Sequence, residues 1–391
     1  MVVAGEASGD VLAAELILAL RAEWPGGRVP AFFGAGGAKM AAAGAELLVD
    51  MTSHAVVGLV EALKNYRKFR RIFDLLLGVA VELQPQAVVF VDFSGFNRRL
   101  AAAIRHAARD LPDRPKLIYY VSPQVWASRP KRARTLERDL DLLLSIFPFE
   151  KAWYAERAPR LRVEFVGHPI ISRHAEFAER IAARRAAANP PSILLLPGSR
   201  LGEIKRHLPV LLEAARLIEG KRPARWNLVV PDERIFALAK SLTEQSGLQI
   251  RLQTGGLAEA LLEADLAMAS TGTVTMECAY FRVPAVALYK TSWSTYEIGK
   301  RIIQVRFLAM PNLLANEVIF PEFVQNDATG PKLAGAALDL LNDPARLGVI
   351  REKLDRLIAT LGPPGASARA ASLIMDVAQT SYGPPKGANP A

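Results

Sequence analysis

Short runs of Val, Ile, Leu, Phe and Tyr recur along the chain, each followed by a longer stretch in which apolar residues return at helical spacing. An apolar run without polar alternation reads as a strand buried on both faces, and such strands belong to parallel sheets covered by helices. In the first half the pattern predicts strands at residues 2–4, 31–33, 87–91, 117–121, 142–147 and 163–166. In the second half it predicts them at 193–196, 227–230, 250–252, 266–269 and 285–289. The alternation of strand and helix occurs twice, so the expected fold is α/β, with two Rossmann-like, doubly wound domains facing across a cleft.

Between the halves lies GHPIISRHAEFAERIAARRAAANPP, a charged Ala/Arg stretch with breakers at both ends. The expected organisation is an N-terminal domain over residues 1–170, a linker over 171–191 and a C-terminal domain over 192–361. After the GPPG break a final helix is expected to residue 380, and residues 381–391, SYGPPKGANPA, have the composition of a disordered tail. A chain of 391 residues is long enough for two cores.

Doubly wound sheets bind ligands at the C-terminal ends of their strands, so the strand-to-helix loops are where chemistry is expected. In LLLPGSRLGEIKRHLP a strand ends at Pro197 and gives way to Gly198, Ser199 and Arg200 before a helix begins near Glu203. Amide N–H groups at a helix start beside a guanidinium suit a diphosphate, although an ordinary turn with a solvated Arg would look the same. In ADLAMASTGTVTMECA a strand ends near Ser270, and Thr271, Gly272 and Thr273 lead into a helix that carries Glu277. Small residues let the backbone approach a ligand, and the carboxylate can accept two ribose hydroxyls; simple capping is the alternative. Together the two loops make a nucleotide-sugar site the expectation.

In the first half, GEASGD at residues 5–10 follows one strand, and FGAGGAKM supplies Gly34, Gly36 and Gly37 after another. Neither is the dinucleotide fingerprint, so a nicotinamide enzyme is disfavoured; tight turns and ligand contacts both remain open. AVVFVDFSGFN sets Asp92 directly after a strand, with Asn97 close behind. A carboxylate there can act as general base on a sugar hydroxyl or as a local hydrogen-bond anchor. The D-x-D of Asp139 and Asp141 falls at the wrong end of its strand for a metal-diphosphate site, so no metal is expected and leaving-group charge falls to Arg200 and the helix N-termini. Of five histidines only His168, in VGHP, is placed near chemistry; the others are expected at the surface. The single cysteine, Cys278, reads as a small buried hydrophobe in a reducing compartment.

Charge changes the picture of the partners. Lys and Arg outnumber Asp and Glu by 49 to 39, a formal +10, so an anionic partner is expected. Residues 56–77 place apolar side chains, among them Val60, Leu63, Phe69 and Phe73, at near-helical spacing beside Lys64, Arg67, Lys68, Arg70 and Arg71. Such a helix can lie on an anionic membrane surface, or it can be a core helix with a solvated face. A second basic cluster, Arg129, Lys131, Arg132 and Arg134, follows Trp126. Only 7% of residues are aromatic and no nucleic-acid motif occurs, so nucleic acid is not expected as a partner. No long uncharged apolar run or signal-peptide pattern is present, so a cytoplasmic chain without a membrane span is expected.

GEASGD, DFSGFN, YYVSPQVWASRPKR, FPFEKAWY, VGHP, LLPGSR-x-x-E, STGTVTMECA and PNLLA follow one another along almost the whole chain. This ordered set resembles the lipid-A-disaccharide synthase family. The resemblance implies an inverting glycosyltransferase of the GT-B type, without a cofactor, that joins UDP-2,3-diacylglucosamine to 2,3-diacylglucosamine 1-phosphate and releases UDP. It makes Asp92 the base or essential acceptor-side carboxylate, with Ser8, Gly9 and Asp10 on the same side. Arg200 becomes a donor-diphosphate contact, Glu277 a nucleotide ligand and Asn312 an essential cleft residue. Gly198, Ser199, the loop from Ser270 to Thr273 and Gln325 line the donor site. It also implies peripheral association with the inner face of the inner membrane, with the final helix crossing back to the first domain or to a partner chain in a homodimer. Ser128 stands where the family usually has Trp, and DFSGFN lacks the usual Pro of that loop. The alternative is another GT-B enzyme acting on UDP-GlcNAc, or a UDP-GlcNAc 2-epimerase.

Overall fold

The computed structural model describes residues 1–24, 30–51, 66–111, 113–183 and 188–379. The chain divides into two compact units, Met1–Pro169 with Gly362–Ala391, and Ile170–Leu361.

The first unit is built on a seven-stranded parallel sheet: β1 (Val2–Ala4), β2 (Phe33–Gly36), β3 (Glu46–Asp50), β4 (Ala87–Val91), β5 (Lys116–Tyr120), β6 (Leu142–Ser145) and β7 (Val163–Phe165). Their order is β3-β2-β1-β4-β5-β6-β7. Val2 lies opposite Gly34 on one side and Val89 on the other. The central strands are buried on both faces, which is why they read as unbroken apolar runs. Each Leu or Phe so enclosed stabilises the fold by roughly 1.5–3 kcal/mol. The helix Ala366–Gln379 packs on the helix Ala7–Glu23, and the Arg369 Nε donates to the Val166 carbonyl at 2.8 Å.

The second unit holds six parallel strands: β8 (Ser192–Leu196), β9 (Arg225–Val230), β10 (Ile250–Thr254), β11 (Leu266–Ser270), β12 (Ala285–Tyr289) and β13 (Glu322–Val324). They are ordered β10-β9-β8-β11-β12-β13. In each sheet the direction of winding reverses once, between β1 and β4 and between β8 and β11. Loops leaving neighbouring strands there diverge to opposite faces and leave a crevice at the strands' C-terminal ends.

Three departures from the sequence reading have plain causes. β3 and β13 are edge strands, only partly buried, so they lack the apolar run that marks a central strand. Gly34 and Gly36 are not turn residues but part of β2, where a Cβ on Gly34 would stand 2.0 Å from the Val2 carbonyl oxygen. Residues 171–183, within the stretch 171–191 expected to be linker, are folded into the second unit, with Phe177 and Ile181 in its core. Val60, Leu63 and Lys64, and the tail 381–391, lie outside the described residues.

Asp10, assigned to the acceptor side, is buried and committed elsewhere. Its carboxylate accepts from the backbone N–H groups of Gly37 (2.7 Å), Lys39 (3.0 Å) and Met40 (3.1 Å), capping the helix Ala38–Ala42 and tying it to the helix that follows β1. Removing this acceptor strands three buried or half-buried donors. Asp10→Ala is therefore expected to destabilise the first unit by about 3–5 kcal/mol, read as a lowered urea midpoint by circular dichroism.

Candidate active site

At the end of β4 the chain makes an unusual turn. Asp92 and Phe93 are both left-handed, with φ of 48° and 49°. Each such non-glycine residue costs on the order of 1–3 kcal/mol and persists only where its surroundings hold it. The hold is visible. The Asp92 N–H donates to the Tyr120 carbonyl at 2.9 Å, and its own carbonyl accepts from the Tyr119 hydroxyl at 2.6 Å and the Asn97 Nδ2 at 2.9 Å. Asn97 is completely buried and also reaches the Val3 carbonyl at 3.2 Å, so β1 and β4 are fastened together beneath the turn.

The loop after β1 lies on this turn. A Cβ on Gly5 would come within 2.7 Å of three Phe93 ring atoms, and one on Gly9 would stand 3.9 Å from the Asp92 Cβ. Ser8 is exposed beside them and Gly9 is buried. The structure thus brings Asp92, Ser8 and Gly9 to one switch point, with Asp92 half-buried.

In the second unit, Gly198 has φ of 121°, a conformation that admits the close approach of Glu203. The helix starts at Leu201, two residues earlier than the sequence reading placed it. Glu203 accepts from the Ser199 N–H at 2.9 Å and from Arg200 Nη1 at 3.3 Å. This carboxylate thus occupies both the Ser199 amide and the Arg200 guanidinium, the groups expected from sequence to meet a diphosphate. Underneath, His207 is fully buried rather than at the surface. Burial lowers its pKa, so the neutral ring donates from Nδ1 to the Pro197 carbonyl at 2.8 Å and accepts the Lys290 N–H on Nε2 at 2.9 Å. The ends of β8 and β12 are joined through it.

The loop after β11 sits next to that of β8. Ser270 is buried, Thr271 half-buried, and Gly272 and Thr273 are exposed where the helix Thr273–Tyr280 begins. One helical turn on, Glu277 Oε2 lies 2.5 Å from His174 Nε2. His174 is wedged against Phe281 at 5.0 Å and Tyr280 at 5.6 Å, so this histidine too is not a surface residue. One oxygen of Glu277 is thereby oriented by a segment that the sequence presented as a linker.

Asn312, expected as an essential cleft residue, and Gln325, expected to line the donor site, both have their side chains bonded to the backbone of neighbouring loops. Asn312 is completely buried. Its Nδ2 donates to the Phe320 carbonyl (2.7 Å) and to Glu322 (2.6 Å), and its Oδ1 accepts from Ile319 and Phe320, both at 2.8 Å. With every position satisfied, it positions residues 308–322 and is not open to substrate. Glu322, which sequence reasoning missed, completes the knot by accepting from Leu308 and Ala309. The Gln325 side chain bonds both the N–H and the carbonyl of Thr291, each at 3.1 Å, and so clamps the loop after β12. His168 is half-buried against the Phe147 ring.

A buried carboxyl that the sequence did not reveal joins two of the motifs. Glu150, fully enclosed, accepts from Trp126 Nε1 at 2.9 Å and from the Ser145 hydroxyl at 2.7 Å. Burial pushes its pKa up to about 7 against the pull of these bonds.

Among solved structures, the fold resembles the UDP-GlcNAc 2-epimerase from Neisseria meningitidis bound to UDP-GlcNAc, with a TM-score of 0.62 and 12% identity over 96% of this chain and 100% of that one. It also resembles MurG of Acinetobacter baumannii, with a TM-score of 0.55 and 17% identity over 96% and 98% of the two chains. Identities this low speak for the fold alone, and the fold is the two-domain GT-B architecture of glycosyltransferases. Within that class the chain belongs to the lipid-A-disaccharide synthetase family, whose sequence model matches residues 1–375. The lipid-A-disaccharide synthase of Geobacter sulfurreducens is 37% identical over 390 residues, covering 96% of each chain. That of Myxococcus xanthus is 36% identical over 385 residues, covering 96% of this chain and 97% of the relative.

Glu150 carries a pH signature. In the unfolded chain its carboxyl ionises near 4.5, whereas the folded protein holds the proton to about 7. The folded state therefore binds more protons in that window, and its contribution is full below about pH 4.5 and lost as pH rises through 7. Glu150→Gln, which keeps the hydrogen-bonding shape, is expected to remove a decline of up to roughly 3 kcal/mol, seen by comparing urea unfolding of both proteins at about pH 5 and 8.

Proposed function

We propose that this chain transfers 2,3-diacylglucosamine from UDP-2,3-diacylglucosamine to 2,3-diacylglucosamine 1-phosphate, releasing UDP and the tetraacyl disaccharide 1-phosphate. The observation that carries this reading is the placement of the motif loops. Those with Asp92 and Ser8 stand at the β1/β4 reversal, and those with Arg200 and Thr273 at the β8/β11 reversal.

The chemistry follows from these groups. Asp92 takes the proton of the acceptor hydroxyl as it attacks the anomeric carbon, which inverts the configuration there. The departing UDP gathers negative charge, met by the Arg200 guanidinium and by amides at the starts of the helices Leu201–Glu219 and Thr273–Tyr280. Glu203 must release the Ser199 amide as the diphosphate arrives. Glu277 receives the ribose hydroxyls on the oxygen that His174 leaves open.

Both sugars carry acyl chains, which favours action on the inner face of the inner membrane. Among the described residues no helix is long and apolar enough to cross a membrane. On the helix Tyr66–Leu83, Arg67, Lys68, Arg70 and Arg71 are exposed, Arg70 being paired with Asp74. Phe69 and Phe73, read from sequence as bilayer anchors, instead pack edge-on against Phe96 at 6.3 and 5.7 Å. The membrane-facing contribution of this stretch is therefore electrostatic, each basic residue adding about 1 kcal/mol near anionic lipid.

Asp92→Asn is expected to lower disaccharide formation from the two acylated precursors by about 10²–10⁴, measured by mass spectrometry of the product, while UDP affinity stays within about twofold. Unchanged turnover would remove Asp92 from the chemistry. Changing Arg67, Lys68 and Arg71 together to Glu is expected to abolish co-sedimentation with anionic vesicles; retention at the wild-type level would discredit the interfacial helix.

A further inference from the structure

Four arginines from two separate segments gather in the first unit. Arg98 and Arg99 lie early in the helix Ser94–Ala107, just after the Asp92 turn; Arg129 and Arg132 bracket the short segment that follows Trp126. The helix Ser94–Ala107 packs against the helix Ala133–Asp139, which continues directly from that segment, so the four guanidinium groups stand close enough to repel one another. Burial and then the neighbours Arg129 and Arg99 hold the Arg98 pKa down, and burial followed by Arg98, Arg129 and Arg99 does the same for Arg132.

Among the described residues no carboxylate pairs with any of the four, and Arg98 Nε is buried without a hydrogen-bond partner. Nearby arginines are treated differently by the fold, since Arg105 pairs with Asp141 and Arg138 with Asp139. Uncompensated like charge costs energy, and a buried N–H without an acceptor adds to that cost. A group that brings several charged acceptor oxygens would relieve both, and planar guanidinium forks match phosphate oxygens.

The location is as informative as the charge. Arg98 interacts electrostatically with Tyr119, the residue whose hydroxyl holds the Asp92 carbonyl at 2.6 Å. The cluster therefore stands beside the turn that carries the acceptor-side carboxylate. Arg99 and Arg129 are exposed and Arg98 and Arg132 half-buried, which leaves the group open to a ligand.

We propose that Arg98, Arg99, Arg129 and Arg132 form the subsite that binds the phosphomonoester of the acceptor sugar, and so select an acceptor with its anomeric phosphate in place. This rests on the reading of Asp92 as the residue that activates the acceptor hydroxyl. A phosphate of the same chemistry is carried by phosphatidate headgroups, and the test separates the two sources.

Steady-state kcat/KM is measured for 2,3-diacylglucosamine 1-phosphate and for the same sugar without its phosphate, in the wild type and in the Arg129→Gln, Arg132→Gln double variant. Binding of both proteins to phosphatidate vesicles is measured in parallel, with UDP affinity and thermal unfolding confirming the fold. The preference for the phosphorylated acceptor is expected to shrink at least about tenfold in the double variant, mostly through KM. Should that variant not fold, Arg99→Gln with Arg129→Gln, both exposed, gives the same readout. A preference retained in a folded variant overturns the subsite, as does a loss confined to vesicle binding. A wild type that makes no disaccharide from either acceptor would instead overturn the functional reading on which the subsite rests.

Discussion

A parallel sheet cannot close its own connections. Each strand must be rejoined from the opposite end through a helix on one face or the other, and where the winding changes face the loops part. The candidate site is laid out by that constraint, met at β1/β4 and again at β8/β11. The sheets supply rigidity through apolar strands buried on both faces, and the parted loops supply amides and side chains held at fixed positions. A site built this way needs few residues in direct contact with substrate, because the sheets do the positioning.

The cost of that positioning is concentrated in buried polar groups. Asn97, Tyr119, His207, Asn312 and Gln325 each satisfy backbone donors or acceptors that the loops would otherwise leave unpaired. At Asp92 the same device holds two consecutive left-handed residues, a local conformation that the turn would not adopt unaided. The recurring pattern is a side-chain amide or ring behind the loop and an ionisable group in front of it. Asn97 stands behind Asp92, and His207 stands behind the loop of Arg200.

Charge is divided in a similar way. Several arginines near the first sheet are neutralised by carboxylates, as Arg105 is by Asp141. Arg98, Arg99, Arg129 and Arg132, beside the Asp92 turn, pair with no carboxylate among the described residues. In the second unit, Glu203 rests on the Ser199 amide and the Arg200 guanidinium. The Arg200 guanidinium is thereby compensated within its own loop.

Apolar runs alone determined the two parallel sheets, because strands buried on both faces must be continuously hydrophobic. The strand-to-helix loops likewise singled out Asp92, Arg200 and Glu277 as candidates, because each lies beyond the C-terminal end of a strand. Edge strands β3 and β13 escaped, since partial burial leaves no such run, and Gly34 passed for a turn although it lies within a strand. The sequence also could not distinguish residues that touch substrate from those that hold the loops that do. Asp10, Asn312 and Gln325 looked like site residues, and only tertiary structure shows their polar atoms already taken by backbone partners. Pairings such as His174 with Glu277, 103 positions apart, are set by how elements stack in space, and no local pattern of side chains encodes that distance.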